Sequence, residues 1–116
     1  MAEFKPFTIE RPWGHFRQFS LNSPSTIKIH TILPNASLSL QRHTKRAEFW
    51  HVISGSGIIE VDEEKFNVRE GDEHGAKLGA HHRIEAGEHG LVLLEVATGE
   101  FDEEDIVRYE DKYGRV

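Results

Sequence analysis

The sequence predicts an all-β protein, a sandwich or barrel in a single domain. Short alternating or apolar runs recur at even spacing, turn residues separate them, and helical periodicity is nearly absent before residue 102. A chain of 116 residues, 37% hydrophobic and 29% charged, suits one such domain with a real core.

Residues 1–14 read as an N-terminal arm, about 15–100 as the barrel and 101–116 as a tail. From Ser25 to Leu33 the chain alternates: Ile27, Ile29, Thr31 and Leu33 share one face, Thr26, Lys28 and His30 the other. Pro34-Asn35 breaks the run and Leu38–Gln41 resumes it. Phe49–Ser54 leads through Gly55 and Gly57 into the apolar stretch Ile58–Val61. Asp62-Glu63 reads as a hairpin turn before Lys65–Val68, Glu70-Gly71-Asp72 as a second turn and Gly79 as a third. His82–Ala86 and Leu91–Ala97 complete the strands, with Gly87 and Gly90 between them. The charged stretch from Asp102 to Val116 fits one short helix or an extended strap.

A formal net charge of -6 argues against nucleic acid or an anionic membrane as partner, since both would repel it. With no cysteine there are neither disulfides nor thiolate ligands, so a metal site must use imidazole, carboxylate and amide groups. No apolar run approaches the roughly 20 residues of a membrane span, and Met1–Glu10 lacks the apolar core of a signal peptide. A cytoplasmic protein is the expectation.

Eight histidines are many for this length, and some stand where they can converge. Gln41 and His43, two apart on a strand or its end, point to the same side. Glu48 follows after a short turn, with Trp50 and Val52 on its face, and His82 opens a later strand. Such a mixed nitrogen and oxygen set fits one divalent ion, zinc first, with manganese, iron, cobalt or nickel as alternatives. Three or four ligands leave a coordination position open, which catalysis or ligand capture needs.

The run from Gln41 to Trp50, followed by Gly55, resembles the first cupin motif, and Gly79-Ala80-His81-His82 the second. More narrowly, Arg11-Pro12-Trp13-Gly14, Leu38-Ser39-Leu40-Gln41, Arg46-Ala47-Glu48-Phe49-Trp50 and the stretch from Ile106-Val107-Arg108 to Tyr113-Gly114-Arg115 resemble the cupin domain of type II mannose-6-phosphate isomerases. The likeness runs from about Arg11 to Arg115. It implies a jelly-roll barrel with metal ligands at Gln41, His43, Glu48 and His82, glutamine standing where many cupins have their first histidine. In that family the domain usually follows a guanylyltransferase domain, for which these 116 residues leave no room, so a stand-alone cupin is expected. Four positions depart from the pattern: Asn35 for a glycine, Lys77 for a proline, Ala86 for an asparagine, and His30 where relatives often carry a second lysine after Lys28.

The implied reaction interconverts mannose 6-phosphate and fructose 6-phosphate through a cis-enediol. It needs a Lewis acid, a proton-carrying base and a cationic clamp for phosphate. Lys28 and Glu95 are the candidate bases. Arg11, Arg46, Arg83, Arg108 and Arg115 are available to the phosphate, with Arg83 and Arg108 preferred, and Ser39 joins the substrate-binding set. Trp13 and Trp50 wall the sugar pocket or fill the core. Glu85 and Glu110 are expected to be solvated or paired. His15, His51, His74, His81 and His89 read as surface or packing residues, although a one-residue register change would exchange His81 with His82. Two other readings compete: a metal-dependent cupin with epimerase or dioxygenase chemistry, and a sugar-binding module without turnover. A homodimer is implied by resemblance, because many cupins cover exposed edge strands by pairing.

Overall fold

A computed structural model describes residues 5–116, and the first four residues of the expected N-terminal arm lie outside the described residues. Nine strands follow in order: β1 (Phe7–Arg11), β2 (Gly14–Gln18), β3 (Ser25–Ile32), β4 (Leu40–Arg42), β5 (Arg46–Val61), β6 (Glu64–Arg69), β7 (Glu73–Ala76), β8 (His82–Gly99) and β9 (Val107–Glu110). Among the described residues there is no helix, and so none long and apolar enough to cross a membrane.

β5 and β8 are twice the length of ordinary strands because each serves two sheets. Their partnership runs from Arg46↔Gly99 to Val61↔His82 and is interrupted by bulges near Val52–Ser54 and Gly55–Gly57. At that bend the backbones nearly touch. A Cβ on Gly55, whose φ is +83, would lie 2.2 Å from the Gly90 carbonyl oxygen, and one on Gly57 equally close to that of Glu85. Only glycine fits there, and a bulge is the usual way to turn a strand between sheets. The separate sequence runs on either side of the glycines are therefore halves of single bent strands.

On one side of the bend, β3, the later part of β8, the early part of β5 and β7 form the first sheet. On the other, β6, the later part of β5, the early part of β8, β4 and β9 form the second. β5 enters β6 through Asp62 and Glu63, both at positive φ (47° and 73°), the geometry of a tight hairpin. Asn35 also takes positive φ, at 60°, as expected for an asparagine in place of glycine. Ile32, Trp50, Val52, Leu91 and Leu93 from the first sheet meet Ile59, Val68, Ile84 and Ala86 from the second in one core. Each fully buried aliphatic there contributes roughly 1.5–3 kcal/mol. The result is an all-β jelly roll in which these two sheets are halves of one seven-stranded sheet, folded at the bend and open at its edges.

Three segments are drawn more finely by the structure than by the sequence. The arm and barrel boundary at residue 14 falls inside a hairpin, β1–β2, which is a separate two-stranded sheet. Glu73–Ala76 is a strand, β7, although the turn residues before it masked so short a run. The tail is the extended alternative: turns around β9, which pairs with β4. Ile27, Ile29 and Leu33 face solvent at 60%, 64% and 69% exposure, so β3 turns its polar row, Lys28 and His30, toward the interior.

Candidate metal centre

Both sheets contribute to one site at the end of the barrel. On the second sheet, Gln41 of β4 stands in register with His82 of β8 and Arg108 of β9, so three side chains form a row across it. His43 lies just past the end of β4. On the first sheet, Glu48 shares the inward row of β5 with Arg46, Trp50 and Val52. Alternation on two facing sheets thus aims an amide, two imidazoles and a carboxylate at one point.

His43, Glu48 and His82 are buried and offer ligand atoms that all lie within 4.8 Å of one another. His43 Nδ1 donates to the Asp105 carbonyl at 2.7 Å, which turns Nε2 toward Glu48 Oε1, 2.9 Å away. A backbone carbonyl behind a histidine is the usual support of a metal-bound imidazole. His82 turns Nδ1 toward the Ala80 carbonyl, 3.4 Å away, and Nε2 toward Glu48 Oε2, 3.8 Å away. Gln41 commits its Nε2 to Ser39, at 3.3 Å to the carbonyl and 3.2 Å to Oγ, so its oxygen is left as the fourth donor.

The electrostatics agree with such a site. Burial, helped by the charge of His43, lowers the His82 pKa to about 4, so its imidazole is neutral and its lone pair free at pH 7. Burial opposes the charge of Glu48, but hydrogen bonds with His43 and Glu95 and the charges of His43 and Arg46 outweigh it and hold the pKa at about 2. Arg46 donates from Nε to Glu48 Oε1 at 3.1 Å and from a terminal nitrogen to His43 Nε2 at 3.3 Å. Its other terminal nitrogen bonds the Asp102 carbonyl, and its guanidinium lies 4.2 Å over the Phe101 ring. Neutral imidazole, carboxylate and amide oxygen together fit a borderline divalent ion.

Above these groups opens a cavity of about 190 Å³, bordered also by Lys28, His30, Glu95 and Arg108. Glu95 is 5% exposed and accepts from Trp50 Nε1 at 3.2 Å. Lys28, opposite Glu95 in register, sends its ammonium to Glu103 at 2.9 Å and over Phe101 at 4.3 Å, so it stands toward the mouth. Arg108 borders the cavity with no acidic partner among the described residues, and its buried Nε lacks an acceptor. Ser39, 1% exposed, orients Gln41 from the cavity wall. Larger hollows exist, such as one of about 230 Å³ bordered by Lys5, Phe19 and Phe49, but among the described residues no other cluster of acidic and imidazole groups could hold a metal.

Two arginines read from the sequence as substrate contacts do not border this cavity. Arg11 lies on the exposed β1–β2 hairpin, bonded to the Glu10 carbonyl and set over Phe16. Arg83 is one residue from a ligand, and strand alternation therefore sends it to the opposite face, where it pairs with Glu110. The same alternation leaves His81 exposed and stacked on Tyr109, with His82 inside. Arg115 reaches the cavity rim but is bound to Asp111. Trp50 is core at 0% exposure and Trp13 is exposed at 72%, so neither is an open sugar wall.

Asp105, Phe101 and His30 were not legible as site residues. The Asp105 carboxylate accepts from the Thr44 and Lys45 amides and the Thr44 hydroxyl, fastening the tail across the turn that bears His43. In the sequence it is one more acid in a charged run. His30 offers its place in the polar row of β3, beside Lys28, and its departure from a lysine that relatives often carry there.

Comparison with known proteins agrees with this geometry. The family described as mannose-6-phosphate isomerase C-terminal matches residues 3–111. The xanthan biosynthesis protein XanB of Xanthomonas campestris pv. campestris is 39% identical over 109 residues, which cover 92% of this chain and 23% of that protein. The mannose-1-phosphate guanylyltransferase ManC of Salmonella typhimurium is 36% identical over 110 residues, 93% of this chain and 23% of its own. The chain thus spans about a quarter of the length of these relatives. Among solved structures, a Bacillus subtilis oxalate decarboxylase superposes with a TM-score of 0.69 at 27% identity, covering 82% of this chain and 26% of that one. With its jelly roll and its buried histidine and glutamate cluster, the chain belongs to the mannose-6-phosphate isomerase C-terminal family.

Proposed function

We propose that the domain is a metal-dependent sugar-phosphate isomerase that interconverts mannose 6-phosphate and fructose 6-phosphate. The observation that carries the proposal is a cavity combining a ligand set on its floor, a buried carboxylate on its wall and an unpaired arginine at its side. His43, Glu48, His82 and the Gln41 oxygen would hold the ion, with zinc proposed first. When bound, the ion supplies Lewis acidity to the carbonyl and hydroxyl oxygens of the substrate.

The remaining tasks fall to side chains. Glu95 is the proposed base: it is buried, oriented by Trp50, and free of any arginine or lysine hydrogen bond. It takes the proton from C2 of the open-chain aldose and returns it to C1. Arg108 is the proposed phosphate anchor, since a guanidinium with no acceptor among the described residues bonds an incoming phosphate without first giving up an ion pair there. Lys28 adds positive charge at the mouth, and the narrow cavity limits water around the enediol. A homodimer belongs to the same proposal, supported by the edge strand β3 with exposed Ile27 and Ile29, and by exposed Leu33 just after it.

A coupled assay on mannose 6-phosphate, run on purified protein of known elemental content, tests this reading. Turnover should vanish on chelation and return with added metal. Sugar-phosphate binding without turnover at any metal loading would overturn it. Sedimentation at micromolar concentration checks the dimer.

A further inference from the structure

Aldose–ketose isomerisation moves two protons: one between C2 and C1, the other between O1 and O2. Glu95 accounts for the first. The structure offers a specific side chain for the second. His30 projects from β3 into the same cavity, one inward position beyond Lys28, and its Nε2 lies 3.2 Å from Glu95 Oε1. That nitrogen is buried, and among the described residues Glu95 is in ion-pair range of it while no group meets it in hydrogen-bond alignment. An imidazole nitrogen so placed, on the wall of a ligand cavity with a carboxylate as its neighbour, can turn to a bound molecule without breaking an aligned hydrogen bond.

Resting on the isomerase reading, we propose that His30 is a catalytic residue that carries the hydroxyl proton between O1 and O2 while Glu95 carries the carbon-bound proton. The step balances as follows. Glu95 removes the C2 proton, the C–H electrons form the C1=C2 bond, and protonated His30 gives its proton to O1, leaving the enediol. Neutral His30 then takes the proton from O2, the C2=O bond forms, and Glu95 returns its proton to C1. Both side chains end as they began, and only the sugar has changed.

The surroundings suit a residue that begins as the acid. Contact with Glu95, against the opposing effect of burial, raises the His30 pKa above the ordinary histidine value. The charged groups facing it are Glu95 on β8, Lys28 on its own strand and Glu48 on β5. His30 itself bonds none of the proposed metal ligands, while its neighbour Glu95 hydrogen-bonds Glu48, so zinc content is followed in every variant.

The test uses the zinc-loaded full chain, with H30Q and H30A compared with the wild type on mannose 6-phosphate. Both variants should keep their zinc by elemental analysis, hold KM within about 3-fold, and lose about 100-fold or more in kcat, the low end for a general acid–base group. Added imidazole should restore part of the H30A rate, an effect that a merely structural residue would not show. In proton NMR, the ring signal that disappears in H30Q should move when mannose 6-phosphate is added to the wild type. Variants with unchanged kcat, or a ring signal that ignores the sugar phosphate, would overturn the role of His30 and leave the isomerase reading intact. A wild type that never isomerises the substrate removes both.

Discussion

The interior of this barrel has two ends built from the same strands. Along β5 the inward residues run Arg46, Glu48, Trp50 and Val52, and beyond the bend Ile59. Along β3 they run Lys28, His30 and Ile32, and along the later part of β8 Leu91, Leu93 and Glu95. Each row changes from apolar to polar toward the same end. Trp50 stands at the boundary, buried like a core residue, with its ring 5.2 Å from that of His82 and its N–H on Glu95. The contrast shows how a small domain separates its tasks: dry packing at one end supports groups at the other whose burial opposes folding.

That contrast can be broken from either side. The largest effect is expected at the polar end. His43→Ala should abolish metal binding, a loss of at least about 100-fold in affinity measured by competition with a chelator, because a direct ligand counts for more than its supports. The same variant should unfold at nearly the wild-type urea midpoint when metal-free. At the apolar end the pattern inverts. Leu93→Ala, at a position 0% exposed, should lower stability by about 2–5 kcal/mol in urea unfolding while the folded fraction still binds one metal per chain. Full metal occupancy in the first variant, or metal loss in the folded second, would show that the two ends are not independent.

Two smaller effects sharpen the comparison. Asp105→Ala removes the carboxylate that fastens the tail across Thr44 and Lys45, and should weaken metal affinity by about 10-fold, with core stability almost unchanged. Acid should act mainly through the polar end of the metal-free protein. His82 titrates near 4 when folded, below its ordinary 6.5, so the unfolded chain takes up a proton first as pH falls. Its contribution is present above 6.5 and lost as pH falls toward 4. Glu48, depressed from 4.5 to about 2, adds a loss of the same sign at lower pH. Between pH 6.5 and 5.5 the fall in stability should be about 1 kcal/mol, followed by thermal melting, and His82→Gln should remove it.

Much of the barrel was legible because its signals are local. The alternation of Ser25–Leu33, the Asp62-Glu63 turn and the glycines at 55 and 57 mark strands and bends by spacing and backbone freedom alone. The cluster of His43, Glu48 and His82, with Gln41 beside it, was legible because these residues fall in motifs with a known likeness. β7 was not, since four residues after a turn carry too little periodicity. Arg83 was misplaced beside the site for a simple reason: adjacency in sequence means opposite faces in a strand.

The sequence by itself determined an all-β chain, its main turns and a set of groups able to bind a divalent ion, since each depends on residue type and short-range spacing. Only the tertiary structure decided which face of β3 looks inward. Period-two alternation separates two faces without naming the buried one, and here the polar row is inside. It also decided that a carbonyl 62 residues away orients His43, and that His30 and Glu95 meet 65 positions apart. Long-range strand pairing sets such meetings, and no local pattern contains them.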